Sequence, residues 1–105
     1  MGKLNEKQRR FTHMLGILIL FAYATGYELT MGESYDDDGI GHTKSSTHYV
    51  RLAQDFNVFK DGVYLSGKAA REAHSKLHDF WDSIGGAKRI EADLNHYSFE
   101  WQGVR

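Results

Sequence analysis

The stretch Leu52-Ala53-Gln54-Asp55-Phe56-Asn57-Val58-Phe59-Lys60-Asp61-Gly62-Val63-Tyr64-Leu65 decides how the rest of the chain is read. Alternation puts Leu52, Phe56 and Val58 on one face of a strand, with Gln54 between them, and Ala53, Asp55, Asn57 and Phe59 on the other. Lys60-Asp61-Gly62 is a hairpin turn signal, and Val63-Tyr64-Leu65 reads as the return strand. Downstream, Ser66 is placed to cap a helix that runs to about Ile84. Its apolar stripe is Ala69, Ala70, Ala73, Leu77, Phe80, Trp81 and Ile84, and Gly85-Gly86 ends it. Arg89 to Glu91 reads as a short strand. In His96 to Trp101 the aromatics Tyr97, Phe99 and Trp101 alternate with His96, Ser98 and Glu100, which predicts a strand with an aromatic core face and a polar outer face.

Upstream, Lys3 to Arg10 is polar and basic, and Phe11 to Ala24 is almost continuously apolar. Phe11, Met14, Leu15, Leu18 and Phe21 recur at i, i+3/i+4, so a buried amphipathic helix is expected, with Gly26 at its end. The alternative is a secretory signal: a basic start, an apolar block of about 11 residues, too short to span a bilayer, and Ala22-Tyr23-Ala24 as a cleavage site. Tyr27 to Met31 reads as a strand with Tyr27, Leu29 and Met31 on one face. Glu33 to Ser46 is a loop; its run Asp36, Asp37, Asp38 could take a hard cation such as calcium, although a solvated acidic loop is the expectation. The order helix, strand, loop, hairpin, helix, strands predicts an α+β fold: a small antiparallel sheet with helices packed on one face and the other face left for a site.

A chain of 105 residues is expected to form one domain, residues 1–105, with one modest core. Its charged fraction of 26% and hydrophobic fraction of 41% are those of an ordinary globular chain. A net charge of -1 gives no basic field for nucleic acid. The absence of cysteine excludes disulfides and limits any metal site to His, Asp and Glu donors. With no proline, turns rest on the 11 glycines and on Asn and Asp.

Four residues carry candidate metal chemistry: His48, Asp55, Asp93 and His96. Two imidazoles and two carboxylates suffice for a catalytic zinc site with a general base. Asp55 and His96 project to one side of the sheet if their strands are neighbours. His48 needs more. In an unbroken strand it would lie about 23 Å from Asp55 and point away; on a helix the separation would be about 10 Å. The chain must therefore bend between them, with His48 on the loop entering the strand or on a separate short strand. Asp93, three residues before His96, is placed where a base could stand near an ion without binding it.

Ser46-x-His48 with Ala53-x-Asp55, followed by Asp93-x-x-His96, resembles the motif set of the zinc D-Ala-D-Ala carboxypeptidase/dipeptidase family. That family includes phage endolysins acting as L-alanyl-D-glutamate peptidases, and its fold resembles the hedgehog signalling domain. The opening helix, Tyr27 to Gly32, Leu52 to Asn57 and Asn95 to Glu100 also look like small phage members. The resemblance implies that His48, Asp55 and His96 bind Zn2+, leaving a fourth position to water, and that Asp93 is the catalytic base. Ser46, Arg51 and His42 become candidates for substrate contact. The implied function is a peptidoglycan hydrolase of the endolysin type, cutting peptide bonds in stem peptides. It would be a monomer with no nucleic-acid partner and no stable membrane insertion, made in the host cytoplasm and acting at the bacterial cell wall. Two residues depart from the pattern. Many relatives have Gly at the position of Arg51, and many have an arginine where Asp36 follows Tyr35, so Lys44, Arg51 or another cation would have to supply that charge. The alternative is a non-catalytic cell-wall-binding or metal-binding module on the same fold.

Other polar residues read as structural. His74 and His78 have a metal-binding spacing on a helix, but residue 75 is Ser rather than the Glu of helical zinc proteases, and a helix flank is expected. Glu100 lies about 13 Å along its strand from His96, as a rim carboxylate. Trp81 and Trp101 read as core or as a groove wall.

Overall fold

A computed structural model describes residues 2–32 and 47–105. The elements are α1 (Lys3–Ala24), β1 (Glu28–Met31), a single 3-10 turn (Thr47–Val50), β2 (Ala53–Lys60), β3 (Val63–Tyr64), α2 (Gly67–Ser83) and β4 (His96–Ser98). This is the expected α+β class, with an antiparallel sheet. Every other strand pairs with β2. β1 lies along one edge of it, with Leu29 opposite Val58. β3 and β4 follow one another along the other edge, pairing Phe59 with Tyr64 and Asp55 with His96. Both helices cover the Phe56/Tyr97 face: Phe11 of α1 and Trp81 of α2 meet edge-on at 5.9 Å, and Phe11 meets Phe99 at 5.2 Å. No helix among the described residues is long and apolar enough to cross a membrane.

Three helical segments end in the same way. At the end of α1, the Tyr27 and Gly26 amides donate to the carbonyls of Ala22 and Tyr23, with Gly26 at φ 96°. At the end of α2, Gly86 and Gly85 donate to Trp81 and Asp82, with Gly85 at φ 103°. After the 3-10 turn, Leu52 and Arg51 donate to Thr47 and His48, with Arg51 at φ 56°. Each closes a helix end through a residue in the left-handed region, a place that glycine fills without strain. Gly86 has a second duty: a Cβ there would stand 1.9 Å from Trp81 Nε1, whose N–H donates to the Ser98 carbonyl at 3.0 Å.

Several local expectations need correction. Ser66 precedes α2 but makes no side-chain cap bond, and Gly67 takes φ 58°. The buried stripe of α2 is Ala73, His74, Leu77, His78 and Trp81, while Ala69 is exposed. The helix is turned so that both histidines face Tyr97: His78 stacks on its ring at 4.1 Å, and the Tyr97 hydroxyl meets His74 Nδ1 at 2.7 Å. Arg89 to Glu91 forms no strand. One bond joins the Ala87 amide to the Ser98 carbonyl, and Arg89 then pairs with Asp79 and Asp82 of α2. β4 ends at Ser98 rather than Trp101, and the chain then reverses through Gln102 (φ 51°) and Gly103 (φ 80°), bridging Trp101 to Val104. The polar face of β4 is not open, since His96 and Ser98 are both buried.

Two predictions follow from this packing. Gly86→Ala should cost about 3 kcal/mol or more, because a methyl there displaces a packed indole, whereas Gly16→Ala, mid-helix in open space, should stabilise by up to ~1 kcal/mol; urea melts of the two variants check both. Burial lowers His74 and His78 from the usual 6.5 to about 4. Between those values the unfolded chain binds protons that the folded chain refuses, so stability falls as pH drops from 6.5 to 4. The loss should approach about 3 kcal/mol per imidazole by pH 4, measured as the urea midpoint against pH.

Candidate metal centre

Three donors from distant segments converge. His48 Nε2 lies 3.3 Å from Asp55 Oδ1, His96 Nδ1 lies 3.5 Å from the same oxygen, and the two ring nitrogens are 3.2 Å apart. Two structural devices bring them together. Direct cross-strand pairing of Asp55 with His96 sets both side chains on one face, away from the helices. The left-handed Arg51 turns the chain sharply between the 3-10 turn and β2, and this delivers His48 to the same point. The bend expected between His48 and Asp55 is therefore present.

The spacing can be tested against an ion. Donors held about 2.0–2.2 Å from a tetrahedral zinc stand roughly 3.3–3.5 Å from one another. An octahedral face at similar bond lengths would bring them to about 3.0 Å. The observed edges of 3.2, 3.3 and 3.5 Å fit the tetrahedral arrangement better. The two ring nitrogens are within hydrogen-bond reach of each other, and the buried Asp55 Oδ1 lies beside both. Burial acts to raise the Asp55 carboxyl, but the two imidazoles outweigh it and hold the group at about 2. The carboxylate is thus ionised at neutral pH and supplies one negative charge to a cation. His48, Asp55 and His96 together could hold a metal ion. Asp55 keeps 14% of its side chain exposed, so the cluster reaches the surface.

The remaining candidates are placed as follows. Asp93 is exposed, on the turn before β4, where its carbonyl accepts from the His96 amide at 3.1 Å. Arg51 is exposed and takes a left-handed backbone conformation that glycine adopts without strain. Ser46, His42, Lys44, the Tyr35-Asp36 pair and the acidic run Asp36–Asp38 lie outside the described residues. A groove of about 580 Å³ between Lys68, Arg71 and Ser75 of α2 and Glu91 and Leu94 is a separate surface and includes none of the three donors. Compared with known protein families, curated proteins and solved structures, the chain matches none.

Two residues with no obvious chemistry support Asp55. The Gly32 amide donates to the Asp55 carbonyl at 2.7 Å, and a Cβ on Gly32 would meet Asp55 Cβ at 3.2 Å. Buried Gln54 donates from Nε2 to the Gly32 carbonyl at 3.2 Å. Gln54 could have been found in the sequence, as an amide among the apolar positions of a strand; Gly32 could not, because its role depends on a close approach. Gly32→Ala should shift Asp55 and weaken the binding of an added divalent metal ion by about 10-fold while the protein stays folded, as read by competition with a chromophoric chelator; unchanged affinity would show that β1 yields instead.

Proposed function

We propose that the protein is a zinc-dependent peptidase acting on the stem peptides of peptidoglycan, an endolysin-type hydrolase of the cell wall. The observation that carries this reading is the closure of His48, Asp55 and His96 to within 3.5 Å of one another. They occur in the order and at the separations that the D-Ala-D-Ala carboxypeptidase/dipeptidase resemblance requires. Two imidazoles and one carboxylate leave a tetrahedral ion one open position, as in catalytic rather than structural zinc sites. When bound, the ion supplies Lewis acidity, polarising a carbonyl and bringing the pKa of water towards ~7. Asp93 stands three residues before His96 on an exposed turn, where its carboxylate can take a proton from attacking water and pass it to the departing amine. Arg51, exposed and three residues after His48, is the described candidate for the charge that many relatives draw from an early-loop arginine.

The second reading, a non-catalytic metal-binding module, draws on the exposure of Asp93, which is not enclosed with the three donors. Metal analysis and digestion of purified peptidoglycan separate the two. His48→Ala should lose the metal. Asp93→Ala should keep it and lose turnover by about 100-fold or more. Wild-type protein that carries zinc yet releases no amino groups from the wall would favour the module, and His48→Ala with undiminished metal would overturn the site.

A further inference from the structure

His78 is fully buried, belongs to none of the donors above, and has a use that packing does not explain. Its Nε2 lies 2.7 Å from the Leu94 carbonyl oxygen. A carbonyl only accepts, so Nε2 carries the proton and Nδ1 is bare; that assignment follows from the partner's chemistry. Nδ1 is buried with no hydrogen bond among the described residues. A purely space-filling residue at this point would be apolar, since an orphaned ring nitrogen costs stability. What the imidazole adds over a hydrocarbon is the single bond to Leu94.

That bond falls on the segment that matters most for the metal centre. The turn from Asp93 to His96 is pinned by backbone bonds at three places: Asp93 N–H to the Ile90 carbonyl at 2.9 Å, His96 N–H to the Asp93 carbonyl at 3.1 Å, and Phe56 N–H to the Asn95 carbonyl at 2.9 Å. The Leu94 carbonyl, between them, is held by a side chain instead. The His78 ring is itself fixed, stacked at 10° on Tyr97, whose hydroxyl is hydrogen-bonded to His74 Nδ1 at 2.7 Å. Tyr97 is the neighbour of His96 in β4 and points to the opposite face, so one strand carries the donor on one side and the anchor of His78 on the other.

We propose that His78 is a positioning residue for the metal centre: by donating to the Leu94 carbonyl it locks the Leu94–Asn95 peptide plane and thereby the placement of His96 and Asp93. This rests on the reading of His48, Asp55 and His96 as metal donors. Without the donor, a half-buried carbonyl turns towards water, and the rotation is absorbed by the residues just before His96.

The test uses two substitutions on the full chain. His78→Gln keeps an N–H near the position of Nε2; His78→Phe keeps a ring against Tyr97 but cannot donate. Zinc affinity is measured by chelator competition on protein shown to be folded by circular dichroism, and the Co2+ visible spectrum reports donor geometry. The Gln variant should bind zinc nearly as wild type does, and the Phe variant about 10-fold more weakly, with a changed cobalt spectrum and faster amide exchange at Asn95 and His96. Equal affinity in wild type and folded His78→Phe, or equal loss in both variants, overturns the proposal. Should the Phe variant not fold, His78→Leu replaces it, and nitrogen NMR of the wild type decides independently: a proton on Nδ1 rather than Nε2 of His78 refutes the bond. Wild-type protein that binds no zinc or cobalt at all instead refutes the metal reading, a different failure.

Discussion

The pairing of Asp55 with His96 across two antiparallel strands is the constraint on which the rest depends. β2 is the common partner of every other described strand, so its register fixes the sheet. A slip of one residue between β2 and β4 would bring a neighbour such as Gln54 or Phe56 opposite His96 and turn Asp55 to the helix side. The aromatic packing forbids that slip. Tyr97 is locked on the opposite face by Phe56, His74, His78 and Trp81, and moving it would empty the core. The core therefore holds the donor geometry from the opposite face of the sheet. Alternation along one strand converts hydrophobic burial on one face into polar placement on the other.

His48 is held by a different device. Its 3-10 turn is short, and such turns have little stability of their own. It is kept by the closing bonds to Thr47 and His48, by burial of Thr47 and His48, and by the Gln8 side chain of α1, which donates to the Val50 carbonyl at 2.8 Å. The left-handed residue that closes it is Arg51, where the equivalent positions after α1 and α2 are Gly26 and Gly85. A non-glycine residue in that conformation costs on the order of 1 kcal/mol. The segment that delivers the third donor thus carries strain that the other two segment ends avoid.

Much of the architecture was legible in the residues because it follows from periodicity. The Leu52–Phe59 alternation, the Asp61-Gly62 turn and the spacing of Phe11 and Leu18 report period 2 or 3.6 directly, and the elements found at those places agree with them. The bend between His48 and Asp55 was legible by exclusion, since neither regular geometry could bring two residues seven apart to one ion. What was not legible depends on contacts between distant residues. The orientation of α2 was misread because His74 and His78 look like surface residues until Tyr97 gives them a ring to stack on and a hydroxyl to bond. The strand expected at Arg89 to Glu91 failed because pairing needs a free edge in the right place, which no local pattern encodes. Gly86 reads only as a helix terminator and Gly32 carries no local signal, whereas each is required by a specific neighbour, the Trp81 indole and Asp55 respectively.

The same division bears on how an ion would couple to the fold. Asp55 and His96 are positioned by a sheet that the core holds in register, so two of the three donors are organised without the ion. His48 is brought in by a strained single turn. An ion binding all three adds free energy to the folded state alone, because the unfolded chain does not bring residues 48, 55 and 96 together. That added stability falls on the contact between the turn and β2, which the ion would bridge. The ion would therefore act less as a nucleus for the domain than as a clasp on one segment, completing a site whose other half the hydrophobic core has already built.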